Sequence, residues 1–347
     1  MAEKVIEYNK INTIRYMGNK DRLLEYIIPE IEKNVREGEI VCDIMAGTNS
    51  IGYALNKRNV IISNDVQYYS YVIGMALLKS DSFTKETAED ELNAKIEYNI
   101  VNRVNSYFVD NYKDTYFSGK QCLEIDSIRF AIEELGKKNK NYFNYLTVLM
   151  HVMCQAQSTT GHFAQFLDKT HYRVQKLRKM SIVKLFYEQC EEFGNKVKSK
   201  YKNEIYNLTY SDLFEKIKCK DISCFYLDPP YTNDQYSRFY HLLETVCKND
   251  SPEYEFKAKY RKDRFMSPFC YKKSVLQEFE NIISYVYKKK SNLIISYSNK
   301  GVADVEEIFK LCKKYYKNVE KKYIDYKHSS QGKGAIAIRE VLLILQI

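Results

Sequence analysis

Residues 40–65 read IVCDIMAGTNSIGYALNKRNVIISND. The apolar run that ends on Asp43 is short enough for a buried strand, MAGTNS is a turn of small residues, IGYALNKR is a helical stretch, and NVIISND is a second apolar run. Strand, tight turn, helix and strand in this order predict a βαβ unit and a parallel sheet. Ahead of it, Leu23, Leu24, Ile27, Ile28, Ile31 and Val35 recur at helical spacing, with Pro29 as a kink. Residues 81–204 then change to helix-patterned, polar segments such as TKETAEDELNAKIEY and VQKLRKMSIVKLFYEQC. The α/β alternation resumes with EIYNLTY, SDLFEKI and ISCFYL. A helix near 274–289, the strand NLIISYS, the helix VADVEEIFKLC and strands near 320–326 and 336–346 follow. The expected fold class is α/β: a Rossmann-like sheet with helices on both faces, built from 1–80 and 205–347, with a mostly helical insertion at 81–204.

Composition narrows the function classes. With 45% hydrophobic residues, 5 Pro and 12 Gly in 347 residues, the chain can bury a large core and is neither disordered nor collagen-like. Its longest aliphatic run, Val341–Leu345, is far short of the ~18 residues of a membrane span. Charges occupy the N-terminal MAEKVIEYNKINTIRY where a secretory signal has an apolar centre, so a cytoplasmic location is expected. The nine cysteines show no CxxC pair and no Cys-His cluster at zinc spacing; most are expected to be small buried apolar residues, and no metal is expected. An excess of 54 Lys+Arg over 45 Asp+Glu points to an anionic partner.

The chemistry concentrates in Asp228-Pro229-Pro230-Tyr231, which directly follows the apolar strand Cys224–Leu227. In an open α/β sheet, ligands bind at the carboxyl ends of strands, where this turn must lie. An aspartate accepts a hydrogen bond from an exocyclic amino group, a Pro-Pro turn is rigid and lacks N–H groups to occupy its carbonyls, and a tyrosine offers a stacking face. Together they hold a planar, amino-bearing ring by its edge and its face. Asp43–Ser50 is the matching feature at the end of the first strand. Ala46 and Gly47 let a nucleotide-like cofactor approach the backbone, and Asn49 tolerates left-handed geometry. Asp65 ends the next strand 22 residues after Asp43, placed for ribose hydroxyls.

In this order the two motifs resemble those of the adenine-N6-specific DNA methyltransferases of the Dam-like group. Residues 228–231 look like their DPPY catalytic motif and 43–50 like their motif for S-adenosyl-L-methionine (AdoMet), with Ile44 and Asn49 where the usual turn has proline and glycine. RYMGNKDRLL at 15–24 is similar to the segment that precedes the cofactor motif in that group, which implies cofactor contacts at Tyr16 and Lys20. Asp212 and Leu213, in YSDLF, look like the acidic position near the cofactor adenine and its neighbour. DPPYTNDQYSRFYHLLE is similar to restriction-modification methylases, and LIISYSN at 293–299 and the closing REVLLIL match the later strands. The resemblance covers about 1–80 and 205–347. It implies AdoMet as cofactor, double-stranded DNA as partner, and either a cognate restriction endonuclease as companion or an orphan or phage methylase. It further implies an adenine flipped out of the duplex onto Tyr231, its amino group bonded to Asp228 and the Pro229 carbonyl, and direct methyl transfer without a covalent intermediate.

DNA contacts are expected from the middle region. Lys169–Lys184 carries Lys169, Arg173, Lys176, Arg178, Lys179 and Lys184 with no acid, and Lys257–Arg264 is similarly basic. Upstream, QAQSTTGHFAQF at 155–166 is rich in amides and hydroxyls, which read base edges. Gln155, Gln157, Ser158, His162, Arg173 and Arg178 are therefore expected at a DNA face, together with Asn233, Gln235 and Tyr236, which follow the catalytic turn. Two other readings stay open on the sequence: an RNA adenine-N6 methyltransferase, and a binding subunit that kept the fold and lost turnover.

Overall fold

The apolar strands assemble into one sheet. They are β1 (Ile40–Asp43), β2 (Val60–Asn64), β3 (Glu204–Tyr206), β4 (Cys224–Leu227), β7 (Asn292–Ser298), β8 (Asn318–Asp325) and β9 (Arg339–Gln346); β5 (Tyr254–Glu255) and β6 (Tyr260–Arg261) form a separate two-stranded ribbon. This computed structural model describes residues 10, 11, 14, 20–325 and 339–347. The sheet order is β3-β2-β1-β4-β7-β9-β8, with β9 antiparallel to both neighbours and the other pairings parallel. The chain leaves β1 toward β2 and β3, then returns to place β4 on the other side of β1. That reversal opens a crevice at the carboxyl ends of β1 and β4, the standard ligand position in an open α/β sheet.

Neighbouring residues in a strand face opposite sides, and the core divides accordingly. Val41, Ile61, Tyr226 and Ile294 belong to one apolar cluster, and Cys42, Ile62, Phe225 and Leu293 to the other. Helices α1 (Leu24–Glu32), α2 (Ser50–Leu55) and α3 (Tyr68–Leu78) contribute to the first cluster. So do α4 (Lys85–Asn102), α5 (Tyr107–Tyr112), α6 (Gly119–Leu135), α7 (Tyr142–Ala156) and α9 (Ile182–Gly194), with the short α8 (Tyr172–Leu177) between the last two. The helical segment at 81–204 therefore shares one continuous core with the sheet. Its central helix α7 is buried nearly all round, as a helix apolar on every side must be. The second cluster is closed by α10 (Tyr210–Lys216), α13 (Val275–Lys288) and α14 (Val305–Tyr315); α11 (Tyr236–Phe239) and α12 (His241–Lys248) carry the chain on from the turn at 228–231.

The βαβ reading is borne out, and Pro29 lies inside α1. EIYNLTY gives only the three-residue β3, because Asn207 and Leu208 turn the chain toward α10. No helix among the described residues is long and apolar enough to cross a membrane. All nine cysteines are free and only Cys219 is exposed. No group of three or more metal-ligating side chains occurs among the described residues.

Candidate active site

Register brings the two motifs together. Asp43 at the end of β1 pairs with Tyr226 of β4, two residues before Asp228, and the amide of Ile44 bonds the Tyr226 carbonyl at 3.0 Å. Between them opens a cavity of about 400 Å³, within the range of small-molecule sites. Its charged lining consists of Asp43, Asp65, Asp228 and Glu278 against Lys20. Four carboxylates facing one ammonium suit a ligand that carries positive charge and disfavour a polyphosphate.

At the floor, Lys20 is 5% exposed, with its ammonium 2.9 Å from Asp228 Oδ2 and 3.3 Å from Glu340 Oε1, and it also donates to the Tyr231 hydroxyl. That hydroxyl donates to Asp228 Oδ1 at 2.5 Å and lies 3.2 Å from Glu340 Oε1, which the Ser296 hydroxyl also reaches. Burial works against the Lys20 charge, but Asp228 and Glu340 outweigh it and its pKa is raised. Burial pushes the Asp228 carboxyl above the usual carboxylate range, with Lys20 opposing and Glu340 adding. The Tyr231 ring meets Tyr297 edge-on, with centroids 5.5 Å apart.

The small-residue turn is held by its own polar groups. Gly47, at φ 51°, donates to Asp65 Oδ2 at 2.9 Å, and Asp65 Oδ1 accepts from the Gln67 amide at 2.8 Å. Burial raises the Asp65 pKa to about 6 against those two bonds. Asn49 adopts φ 61° at the start of α2, accepts from the Ser63 hydroxyl at 2.5 Å and donates to the Ser70 carbonyl at 3.1 Å. A Cβ on Gly74 would come within 2.9 Å of Asn49 Oδ1, so the helix behind the turn needs glycine there. Asp43 is different: it is 2% exposed, and its Oδ1 has no hydrogen-bond partner. Burial first, then Asp228 and Asp65, push its pKa well above the carboxylate range. An acceptor left open in this way fits a ligand that brings a donor, preferably a cation.

Other expected residues fall elsewhere. Tyr16 lies outside the described residues. Asn49 is buried behind the turn and acts on the cavity through the backbone it shapes. Asp212 is exposed and accepts from the Thr209 hydroxyl at 2.7 Å while Thr209 caps its amide, and Leu213 is fully buried in the core; Thr209, Tyr210 and Ser211 line the cavity in their place. In the DNA-contact set, Gln157 bonds the Cys154 carbonyl and the Thr159 hydroxyl, and Ser158 is fully buried. Arg178 is drawn inward onto Ser158, the Thr115 carbonyl and Asp114. In the free chain these three side chains brace the loop. Gln235 likewise clamps the Ser267 backbone at the cavity wall. Gln155, Arg173 and Asn233 are exposed, and His162 and Tyr236 are half-buried; His162 lies against Phe239 at 4.5 Å. In the second basic run, Arg261 is 1% exposed and forked onto Asp250 and Asp263.

Glu340 carried no expectation of its own, and it is the third charged group of the floor. In the sequence it is only the second residue, after Arg339, of a final strand that is otherwise mostly apolar.

A turn able to accept an amino group, set over an acidic cavity where a seven-stranded sheet reverses direction, is the arrangement of a Rossmann-like methyltransferase. The comparisons with known proteins agree. Residues 16–301 match the D12 class N6 adenine-specific DNA methyltransferases, and the chain belongs to that family. It is 29% identical to the modification methylase LlaI of Lactococcus lactis subsp. lactis over 316 residues, covering 87% of this chain and 49% of that protein. It is 28% identical to the type II methyltransferase M.FokI of Planomicrobium okeanokoites, over 96% of this chain and 52% of that one. With M.NlaIII of Neisseria lactamica the identity is 26%, over 87% and 89%. The chain thus spans about half the length of the first two relatives.

Proposed function

We propose that the chain transfers a methyl group from AdoMet to N6 of an adenine flipped out of duplex DNA, as the modification enzyme of a restriction-modification system. The observation that carries this reading is the acidic cavity closed by Asp228-Pro229-Pro230-Tyr231. Bound there, AdoMet supplies a methyl group on a positively charged sulfur, activated for displacement. Asp43 would take the ammonium of its methionine part, Asp65 a ribose hydroxyl, and the Ala46-Gly47 backbone its close approach. Asp228 and the Pro229 carbonyl accept hydrogen bonds from the adenine amino group and aim its lone pair, and the Tyr231 ring packs on the base. The Asp228 carboxylate favours the positive charge that develops on nitrogen.

In this reading the helical segment at 81–204 is the target-recognition region. Its accessible candidates are Gln155, His162 and Arg173, with Asn233 and Tyr236 near the flipped base. A cytoplasmic location, where DNA is accessible, and a cognate endonuclease follow from the same reading; the names of LlaI, M.FokI and M.NlaIII as modification methylases or type II methyltransferases support it. The test is transfer of labelled methyl from AdoMet to mixed-sequence duplex DNA in competition with RNA. Label in DNA is the expected result, and label confined to RNA would overturn the choice of substrate.

A further inference from the structure

Methyl transfer to an amino group leaves a proton to be removed. The nitrogen lone pair forms the new N–C bond, the C–S bond breaks with its electrons staying on sulfur, and the nitrogen becomes cationic until it loses a hydrogen. In this site the first acceptor within reach is Asp228, which must be ionised again before the next turnover. Three features of the floor show where the proton can go. The Tyr231 hydroxyl is within hydrogen-bonding distance of both Asp228 Oδ1, at 2.5 Å, and Glu340 Oε1, at 3.2 Å, so its single hydrogen is shared between two carboxylates. Lys20 holds three donors and no acceptor, so it carries charge but takes no proton. Asp228 and Glu340 against Lys20 leave one negative charge, enough to hold one proton without burying a net positive charge.

We propose that Glu340 is the proton acceptor of the methyl transfer, reached from Asp228 through the Tyr231 hydroxyl. This inference rests on the reaction proposed above. The N–H bond of the methylated amino group breaks toward Asp228; Asp228 returns its proton to the Tyr231 oxygen as the Tyr231 hydrogen passes to Glu340. Tyr231 ends unchanged, Asp228 is a carboxylate again and Glu340 is neutral; the Glu340 side chain, 10% exposed, then gives the proton to solvent before the next turnover. The charged and titratable groups that face this path are Lys20, Asp43, Tyr226 and Tyr236, besides the three on it. Glu340 can serve because β9 runs antiparallel: it begins at the edge where β4 and β7 end, so its second residue reaches Asp228 from 112 positions away in the chain.

The test compares first-turnover and steady-state methylation of duplex DNA by wild type, Glu340→Gln and Tyr231→Phe, each across pH. The steady-state rate of Glu340→Gln is expected to fall by about 100-fold, within the range a positioned base contributes, and to climb with pH beyond the wild-type plateau. The first turnover falls far less, and AdoMet affinity is unchanged. Tyr231→Phe, which keeps the ring, shows the same split between turnovers. Equal steady-state rates and pH profiles for wild type and Glu340→Gln overturn the inference, and so does an equal loss in both phases, which marks a structural role. If Glu340→Gln fails to fold, Tyr231→Phe decides by the same split. A wild type that methylates no adenine overturns the reaction itself, and the inference with it.

Discussion

Replacing Asp43 by Asn removes a carboxylate that is buried, faces Asp228 and Asp65, and has one oxygen without a partner. In the ligand-free chain that group is a burden. Relieving an unsatisfied buried acceptor is worth about 1–2 kcal/mol, and at about 2 °C per kcal/mol for a chain of this size the Tm is expected to rise by roughly 2–4 °C. In the complex the same carboxylate would bond a cation. Losing a charge-assisted hydrogen bond costs about 1.5–3 kcal/mol, so the Kd for AdoMet is expected to rise roughly 10- to 150-fold. The sign with pH follows from the raised pKa. The folded chain disfavours the ionised form, so the Asn variant gains most stability above the ordinary carboxylate range, and wild-type AdoMet affinity weakens as pH falls and Asp43 takes a proton. Calorimetric titration and thermal melting of both proteins, at two pH values, measure all of this. An Asn variant that melts lower and binds AdoMet like wild type would refute the assignment of Asp43.

Two further outcomes are expected. Burial raises the Asp228 pKa and the reaction needs its ionised form, so the transfer rate should fall with decreasing pH along an acid limb that lies above the ordinary carboxylate range; a rate that stays flat down to pH 4.5 would contradict this. Asn49→Ala loses the bonds to Ser63 and Ser70 and forces alanine into left-handed backbone, whereas Asn49→Gly loses only the bonds. Denaturant unfolding should show a loss of about 2–4 kcal/mol for Gly and roughly 1 kcal/mol more for Ala, and an Ala variant no worse than Gly would refute the backbone argument.

The parts of the site that the sequence showed are those set by local order. An apolar run followed by Asp43 or Asp228 places each carboxylate at a strand end, and parallel pairing then brings the two together. Asn49 was legible for the same reason, since left-handed geometry is a property of one residue and its neighbours. Asp212 reads two ways because an acid three residues after Thr209 has the look of a functional carboxylate, while that spacing is also a helix start. Gln157, Ser158, Arg178 and Gln235 show the same ambiguity. Amides, hydroxyls and guanidinium groups that hold up a loop are the groups that read base edges, and only their partners tell the two apart. Glu340 was out of reach altogether, because its place beside Asp228 depends on a strand that runs backwards from the far end of the chain.

The central claim is that Asp228 at the cavity floor directs a methyl group to adenine N6. Nucleoside mass spectrometry of duplex DNA after incubation with AdoMet tests it most directly, comparing wild type with Asp228→Ala at matched AdoMet saturation. The account predicts N6-methyldeoxyadenosine in the wild-type digest and none with the variant, whose AdoMet binding persists. Methylated cytosine in place of methylated adenine, or undiminished methylation by Asp228→Ala, would contradict it.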